Sequence, residues 1–582
     1  MGRSLPRERI QFGPFELDIG GYRLTRAGKP VRLERIPMDL LILVARARGQ
    51  LVSREEIIQR LWGEAAYVDT ENGINTAVRK IRRALGEDAE SPEYIETVVG
   101  KGYRLRYAGP TNPVPAEPLE PPRIMLAVLP FENLSGDPGQ EYFSDGLTEE
   151  TIARLGQMAP QTLGVIARTS TMTYKQTRKT VAQIAAELNV HYVLEGSVRR
   201  ESERVRITAQ LIRVQDQTHL WAQSFDRKLD SILGVHAEMA AAIANQVKLR
   251  LTSEQQRRLE RPGTNNVDAH DDYLRGLFHL ARVTFPELQR AIGYFQRATE
   301  RDPAYTLAYV GIADAVTRLP ITSDVPADQI REIAQSAIVK ALELDSDSAE
   351  ALDSDAGFKF WLRWDYSGAI ASARRAIALN PNHAPAHFHL AHTLSNIGEH
   401  NEALAEIRRA LELDPFSLIT NAMYGQFLYH AGRDTESVEQ LCKTLELESR
   451  FWVAQICLAK TYQRLGRYAE ALECCRNAWE SSGGNTEALS IAGYVRAVSG
   501  ERAEAEQTVH ELLARGKEHY VPPYNIALVF AGLRDLGSAL QWLELAFAER
   551  DVHMNFLRDH KWNVLRSGRE FRSLMKRVGL PE

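Results

Sequence analysis

Cysteine is scarce in this 582-residue chain. The four present are Cys442, Cys457, Cys474 and Cys475. None is placed as a C-x-x-C pair, and the adjacent Cys474 and Cys475 do not have the spacing of a zinc site. The pattern excludes a disulfide scaffold and implies buried, reduced thiols in a cytosolic protein. Long apolar runs are also missing. No stretch reaches the ~18 residues that a membrane-spanning helix needs, and Met1–Arg9 leads into no apolar core of the kind a signal peptide carries. Charge of one sign is missing overall, since 71 Lys and Arg face 76 Asp and Glu for a net charge of -5. The balance is local, however. Residues 1–108 carry 19 basic and 15 acidic side chains, so a mildly basic head precedes an acidic body. That asymmetry suits one nucleic-acid face; the protein is expected to be cytoplasmic, and no cofactor is expected.

The most informative stretch is Glu71–Gly86. Read as a helix, it places Ile74, Val78, Ile81 and Leu85 on one face at spacings of four, three and four. Asn75, Arg79 and Arg82 repeat that rhythm one residue on, and Thr76, Lys80 and Arg83 widen the stripe. One face buries while the other presents four cations and two small polar groups, the layout needed to enter a major groove. A solvated basic face is the simpler alternative for an isolated helix, so the flanking sequence decides. Before it come short alternating runs, Phe12–Asp18, Tyr22–Thr25 and Val31–Leu33, then a helix over Pro37–Arg48. Ser53-Arg-Glu-Glu56 is a capping box opening a second helix to Trp62. After it, Tyr94–Arg106 reads as a hairpin around Gly100-Lys-Gly102.

This order, with Thr97-Val-Val-Gly-Lys-Gly-Tyr-Arg-Leu105, resembles the winged helix-turn-helix domain of OmpR/PhoB-type regulators over residues 10–107. The resemblance implies that the third helix enters the major groove, where Asn75, Thr76, Arg79, Lys80, Arg82 and Arg83 contact bases or phosphates. Thr97, Lys101 and Tyr103 would contact DNA from the wing, and the loop 63–70 would face RNA polymerase. Val99 stands where many members carry Arg, which shifts minor-groove contact toward Lys101. No receiver domain precedes this one, so phosphorylation control is not indicated.

Six prolines fall within residues 108–122, an extended and semi-rigid linker. It occupies the place where membrane-anchored ToxR/CadC-type relatives have a transmembrane helix. Residues 123–258 then read as a mixed α/β domain. Strands are expected at Ile124–Phe131, Thr162–Ala167, Val190–Arg200, Arg204–Val214 and His219–Phe225, with helices at Tyr142–Met158, Thr180–Leu188 and Asp230–Leu251. Leu126-Ala-Val-Leu-Pro-Phe-Glu-Asn-Leu-Ser-Gly-Asp-Pro138 and Tyr192-Val-Leu-Glu-Gly-Ser-Val198 resemble the TolB-like amino-terminal domain, which also occurs in adenylate-cyclase chains. Ser135–Gly139 lacks the Lys and Ser/Thr of a phosphate loop and reads as a turn. Asp145, Glu149 and Glu150 read as ordinary dipole partners early in a helix. No nucleophile–base set stands out, so an enzyme is not expected.

From about residue 269 to 553 the chain repeats every 34 residues. Gly398, Gly432, Gly466 and Gly500 keep that interval, as do Ala369, Ala403, Ser437, Ala471, Ala505 and Ala539. This is the signature of tetratricopeptide repeats, about eight units forming an all-α solenoid, with small residues letting paired helices approach. Pro320–Asp328 reads as an insertion in the second unit, and residues 554–582 as a C-terminal capping helix. By the family's pattern, Phe388, His392, Asn396, Gln426, Tyr429, His430, Ile456, Lys460, Arg464 and Tyr494 line a concave groove for a protein or peptide ligand. A rigid spacer or a self-association surface is the alternative. His383, His387, His389 and His392 invite a metal reading, but they lack a carboxylate or Cys at ligand spacing and read as structural.

The expected fold is therefore multidomain α+β: a winged helix, a mixed α/β domain and an all-α solenoid. The expected function is sequence-specific transcriptional regulation, as a dimer or on tandem half-sites. The alternative is a repeat-based adaptor whose winged helix binds protein.

Overall fold

A computed structural model describes residues 9–581, apart from 19–21, 27–28, 48–50, 63–69, 88–91, 99–100, 107–122, 202–203, 229–233, 250, 253–254, 256–262 and 283. The proline-rich linker, the 63–69 loop and Val99 therefore lie outside the described residues. The chain divides into two compact units, Met1–Glu120 and Pro121–Glu582.

In the first unit, β1 (Arg9–Phe12), β2 (Phe15–Asp18), β3 (Arg23–Arg26) and β4 (Lys29–Val31) form an antiparallel sheet in that order. The run expected as one strand at Phe12–Asp18 is broken by a turn at Gly13-Pro14, where Gly13 takes φ +53°. Three helices follow: α1 (Arg35–Arg46), α2 (Arg54–Trp62) and α3 (Thr70–Leu85). β5 (Val52–Ser53) pairs with β7 (Gly102–Leu105), which pairs with β6 (Ile95–Val98). At Gly102 the two strands come so close that a Cβ would meet the Val52 carbonyl, which explains the glycine in the hairpin motif. Phe12, Phe15, Leu40, Leu41, Ile57 and the apolar face of α3 share one core.

The second unit opens with a mixed sheet ordered β10–β8–β11–β12–β13. These strands are Leu163–Val165, Ile124–Val128, Tyr192–Glu201, Arg204–Arg213 and Thr218–Lys228. The short β9 (Glu132–Asn133) also pairs with β11. β8 runs parallel to both neighbours, as its unbroken apolar run implies, and the last three strands form an antiparallel meander. Helices α4 (Glu141–Met158), α5 (Arg168–Met172), α6 (Val181–Leu188) and α7 (Val235–Gln246) pack around it. The α6 capping box at Thr180 and Gln183 is formed on both sides. α7 is shorter than expected, and Lys248 just beyond it takes φ +58°.

Eight helix pairs follow, from Val267–Leu280 with Phe285–Arg301 to Pro523–Gly532 with Leu536–Ala548. Gly146 of α4 lets the first of these helices approach, since a Cβ there would clash with Leu274. The 34-residue periodicity splits into two physical roles. Ala369, Ala403, Ser437, Ala471, Ala505 and Ala539 are fully buried between helices. The periodic glycines do something other than the close packing expected of them. Gly398, Gly432, Gly466 and Gly500 take φ between +74° and +98° just past each unit's first helix, and at the last three a Cβ would meet nothing. Left-handed backbone, not space, selects glycine there.

Pro320 lies inside the helix Thr306–Thr322, near its end, so the expected insertion shrinks to Ser323–Ala327. In the third unit, Lys359–Arg363 forms a π-helical turn that ends at Trp364 with φ +57°.

The tail corrects a larger expectation. Instead of one capping helix, Val552–Phe556 and His560–Val564 form 3-10 turns before a helix at Arg569–Val578. Those turns lie along the solenoid's inner face. Tyr366 donates to Asn555 Oδ1 at 2.8 Å, Arg558 reaches the Ile397 carbonyl, and His560 contacts Tyr429 and Gln463. Trp562 is fully buried and donates to Tyr524 at 2.9 Å.

The returning segment thus occupies part of the expected groove, while Phe388, His392, Gln426, Ile456 and Lys460 still line a cavity of about 1960 Å³. His392, Asn396, Gln426, Tyr429, Ile456, Lys460 and Tyr494 are buried, and Phe388, His430 and Arg464 half-buried. Lys460 pairs with Glu487 at 2.8 Å and Arg464 donates to the Tyr429 carbonyl at 2.6 Å. Among the described residues no helix is long and apolar enough to cross a membrane.

Candidate nucleic-acid interface

α3 buries Ile74, Ala77, Val78, Ile81 and Leu85 and exposes Asn75, Thr76, Arg79, Lys80 and Arg83. Its end is closed by Gly86 at φ +77°, whose N–H donates to the Arg82 carbonyl at 2.8 Å. α1 and α2 pack against α3, so the cationic face is presented by a braced helix.

The six polar positions of that stripe divide. Arg79, Arg83 and Thr76 are exposed. Lys80 makes a surface pair with Glu34 at 2.6 Å, an exposed contact that a phosphate can replace at little cost. Arg82 is different, because its guanidinium is engaged within the domain. Its side chain is only 13% exposed. Nη2 donates at 2.8 Å to both the Ile95 carbonyl and Thr97 Oγ1, and Nε lies 3.7 Å from the buried Glu87 carboxylate. Glu87 in turn accepts from the Ile95 N–H at 3.0 Å and from the Tyr94 N–H. Arg82 and Glu87 together tie strand β6 to α3. Thr97 is exposed, but its hydroxyl is one of those ties.

Asn75 is also engaged. Tyr103 Oη donates to Asn75 Oδ1 at 3.0 Å, and Arg54 Nη2 donates to Tyr103 Oη at 3.1 Å and to Asn75 Oδ1 at 3.4 Å. A two-bond contact to adenine needs that oxygen as an acceptor, so it requires these bonds to open. Tyr103 is buried at 3% exposure and holds Asn75 rather than facing outward. Lys101 is exposed at the wing tip, its backbone fixed by Lys101 N–H to Val98 O and Arg54 N–H to Lys101 O. On the outer wing, Arg104 and Arg106 flank Glu96 and hold its carboxyl below the usual range.

Three residues with roles here were not singled out in the sequence. Arg54 sat inside the capping box, where Ser53 does accept from the Glu56 N–H at 3.1 Å. Glu87 and Glu34 carried no motif signal.

In the second unit the polar residues also take different partners from those expected. Asp145 pairs with Lys175 at 2.6 Å, Glu149 with Arg168 at 3.3 Å, and Glu150 bridges His236 and His270 at 2.8 and 2.7 Å. They lie beyond the first turn of α4 and are bound to specific side chains, not to the helix dipole. His383 and His389 converge on Asp353 at 3.1 and 2.7 Å, while His387 pairs with Glu406 at 2.7 Å. Among the described residues no group of three or more ligand-type side chains is placed to hold a metal.

Comparison with known proteins matches three parts of the chain. Residues 28–105 match the family model "Transcriptional regulatory protein, C terminal". Residues 122–241 match "HilA/YgeH-like transcriptional regulator, second domain", and residues 364–423 match "Tetratricopeptide repeat". A protein named Putative adenylate cyclase 3 from Rhizobium meliloti is 36% identical over 231 residues, 39% of this chain and 38% of that one. The Transcriptional regulator HilA of Salmonella typhimurium is 25% identical over 354 residues, 59% of this chain and 60% of that one. The DNA-binding response regulator MtrA of Mycolicibacterium smegmatis is 32% identical over 105 residues, 18% of this chain and 44% of that one. The chain spans between about two fifths and three fifths of the length of these relatives. One chain thus carries, in order, an OmpR/PhoB-type regulatory domain, a HilA-like regulator domain and tetratricopeptide repeats.

Proposed function

We propose that this chain is a sequence-specific, DNA-binding transcriptional regulator. The observation that carries this is the exposed stripe of Thr76, Arg79, Lys80 and Arg83 on α3, a helix whose other face is buried and whose wing is pinned by Arg82. In this reading Arg79 and Arg83 contact guanine edges or phosphates, Lys80 exchanges Glu34 for a phosphate, and Lys101 contacts the adjacent backbone. Tyr103, Arg54 and Arg82 set the distance between wing and helix. The HilA-like domain and repeats receive the signal or protein partner, the loop 63–70 faces RNA polymerase, and the protein works in the cytoplasm as a dimer or on paired half-sites.

We read the chain as non-catalytic. The relative named as a cyclase shares 38% of its own length with this chain.

Selection from random duplexes with the full chain tests the proposal. A regulator enriches one motif, and Arg79→Ala with Arg83→Ala abolishes the enrichment while shifting the thermal midpoint by no more than about 4 °C, because neither side chain is buried. An adaptor enriches nothing. Formation of cyclic AMP from ATP by the purified chain would refute the non-catalytic reading.

A further inference from the structure

A cavity of about 1960 Å³ lies inside the second unit, between α4 and α5 on one side and the inner helices of the repeats on the other. His392, on the helix Ala384–Ile397, helps to line it. Five aromatic rings stand round this one imidazole. Phe360 and Phe427 are fully buried, with ring centroids 4.8 and 5.4 Å from it. Trp361, Phe388 and Phe556 line the cavity, at 5.0, 5.7 and 6.2 Å. The rings come from the π-helical turn Lys359–Arg363, from the first helices of the fourth and fifth units and from the returning tail. Three successive repeats and the tail therefore build one aromatic box. Phe360 and Trp361 are neighbours in sequence, and the π-helical turn, an irregularity that often marks functional sites, carries both.

The imidazole at the centre is 2% exposed, and among the described residues neither of its ring nitrogens has a hydrogen-bond partner. Buried polar atoms are rarely left this way unless something else meets them. Packing alone would be served as well by phenylalanine, which leaves no polar atom unmet. Burial pushes the pKa of His392 well below the ordinary histidine value, and the fields of His389 and His430 add to the shift. The ring is therefore neutral, with one nitrogen as N–H donor and the other as acceptor. Among the described residues the groups that act on it are those two imidazoles, and no carboxylate or guanidinium. Lys460, whose Nζ is 5.8 Å from the Phe556 ring, is already paired with Glu487 at 2.8 Å. An ionic ligand finds no free counter-charge beside this ring. A hydroxyl group can accept from one nitrogen or donate to the other. Pockets of this make-up, apolar and aromatic with one or two polar groups, orient a ligand through those few groups.

We propose that the aromatic box around His392 binds a small neutral aromatic compound bearing a hydroxyl group. The hydroxyl bonds to His392, and the ring packs against Trp361 and Phe388 in the offset or edge-on manner of aromatic pairs. The site is in the second unit and does not rest on the DNA-binding reading, so either can fail without the other.

The test is calorimetric titration of the full chain at pH 7.5 with 4-methylphenol, toluene and 4-methylbenzoate. The three share one ring and differ in carrying a hydroxyl, a hydrogen or a carboxylate. The expected result is saturable binding of 4-methylphenol, about tenfold tighter than either other probe, the worth of a hydrogen bond to a buried group otherwise unmet. His392→Phe should bring 4-methylphenol to within about twofold of toluene without lowering the thermal midpoint, because the variant removes an unmet polar group. Phe388→Ala, at a half-buried ring, should weaken 4-methylphenol and toluene alike. Equal or tighter binding of toluene or 4-methylbenzoate overturns the proposal. So does the absence of 4-methylphenol binding at millimolar concentration, a hydroxyl preference that survives in His392→Phe, or 4-methylphenol binding unchanged in Phe388→Ala. If His392→Phe does not fold, the probe comparison and Phe388→Ala decide alone.

Discussion

Replacing Arg82 by alanine separates a wing clamp from a base reader. The guanidinium donates two hydrogen bonds of 2.8 Å to strand β6 and stands beside a carboxylate that is 1% exposed. Hydrogen bonds from charged groups contribute about 1.5–3 kcal/mol each. Glu87 keeps its bonds from the Tyr94 and Ile95 N–H groups, so part of the attachment survives. A loss of about 2–3 kcal/mol in the local opening of the wing follows. That corresponds to roughly 30- to 150-fold faster exchange of protected amides, at about 1.36 kcal/mol per decade. Hydrogen exchange followed by mass spectrometry reads this directly in fragments covering 95–98 and 102–105, with α1 as the internal control. Affinity should fall by a similar factor on all duplexes, because the wing is displaced and no single base loses its partner. Arg82→Lys should rescue only in part, since the lysine side chain ends short of the Nη2 position that makes both contacts. Unchanged exchange in the wing, together with lost preference at one base pair, would refute the clamp and restore Arg82 as a reader.

Trp562→Ala should destabilise the second unit by about 3–5 kcal/mol, the usual cost of truncating a fully buried Trp, seen as a lower denaturant midpoint. His383 is raised to about 9 by its hydrogen bond to and charge of Asp353, against the desolvation that is its largest single influence. A raised histidine contributes stability fully present below its ordinary value of about 6.5 and lost as pH rises through about 9. The thermal midpoint should therefore fall between pH 7 and 10, and His383→Ala should flatten that slope. His430 and His560, both pushed down to about 4 chiefly by burial, act in the opposite sense: their contribution is present above about 6.5 and is lost as pH falls toward 4. Native alkylation should modify Cys442 first, because Cys457, Cys474 and Cys475 are buried and burial pushes the thiols of Cys457 and Cys474 up to about 12. Faster labelling of Cys457 than of Cys442 would contradict this.

The helix α3 was legible because one apolar stripe at helical spacing admits one burial, and the 34-residue interval was legible because each unit meets the same neighbours. What escaped has local causes. The turn at Gly13-Pro14 hid inside an alternating run, because Phe12 and Phe15 both face the core from either side of it. Arg82 shares its helical phase with Asn75 and Arg79, so spacing alone assigned it to the DNA side. Only the strand β6, which returns across a loop whose path has no periodic signal, captures its guanidinium. The segment after residue 550 escaped because 3-10 turns carry no repeat period. Its Phe556, Asp559 and His560 take their meaning from residues about 100 to 200 positions earlier.

That returning segment changes what kind of solenoid this is. In an open array each unit senses only its neighbours, and stability is close to a sum of adjacent terms. Here Asn555 is bonded to the third unit, Arg558 to the fourth, His560 to the fifth and sixth, and Trp562 to the eighth. A strut touching so many rungs makes the number of rungs a fixed quantity. Deleting or duplicating one 34-residue unit, harmless in an open array, would shift every later anchor point by a full step and leave the strut without its seats.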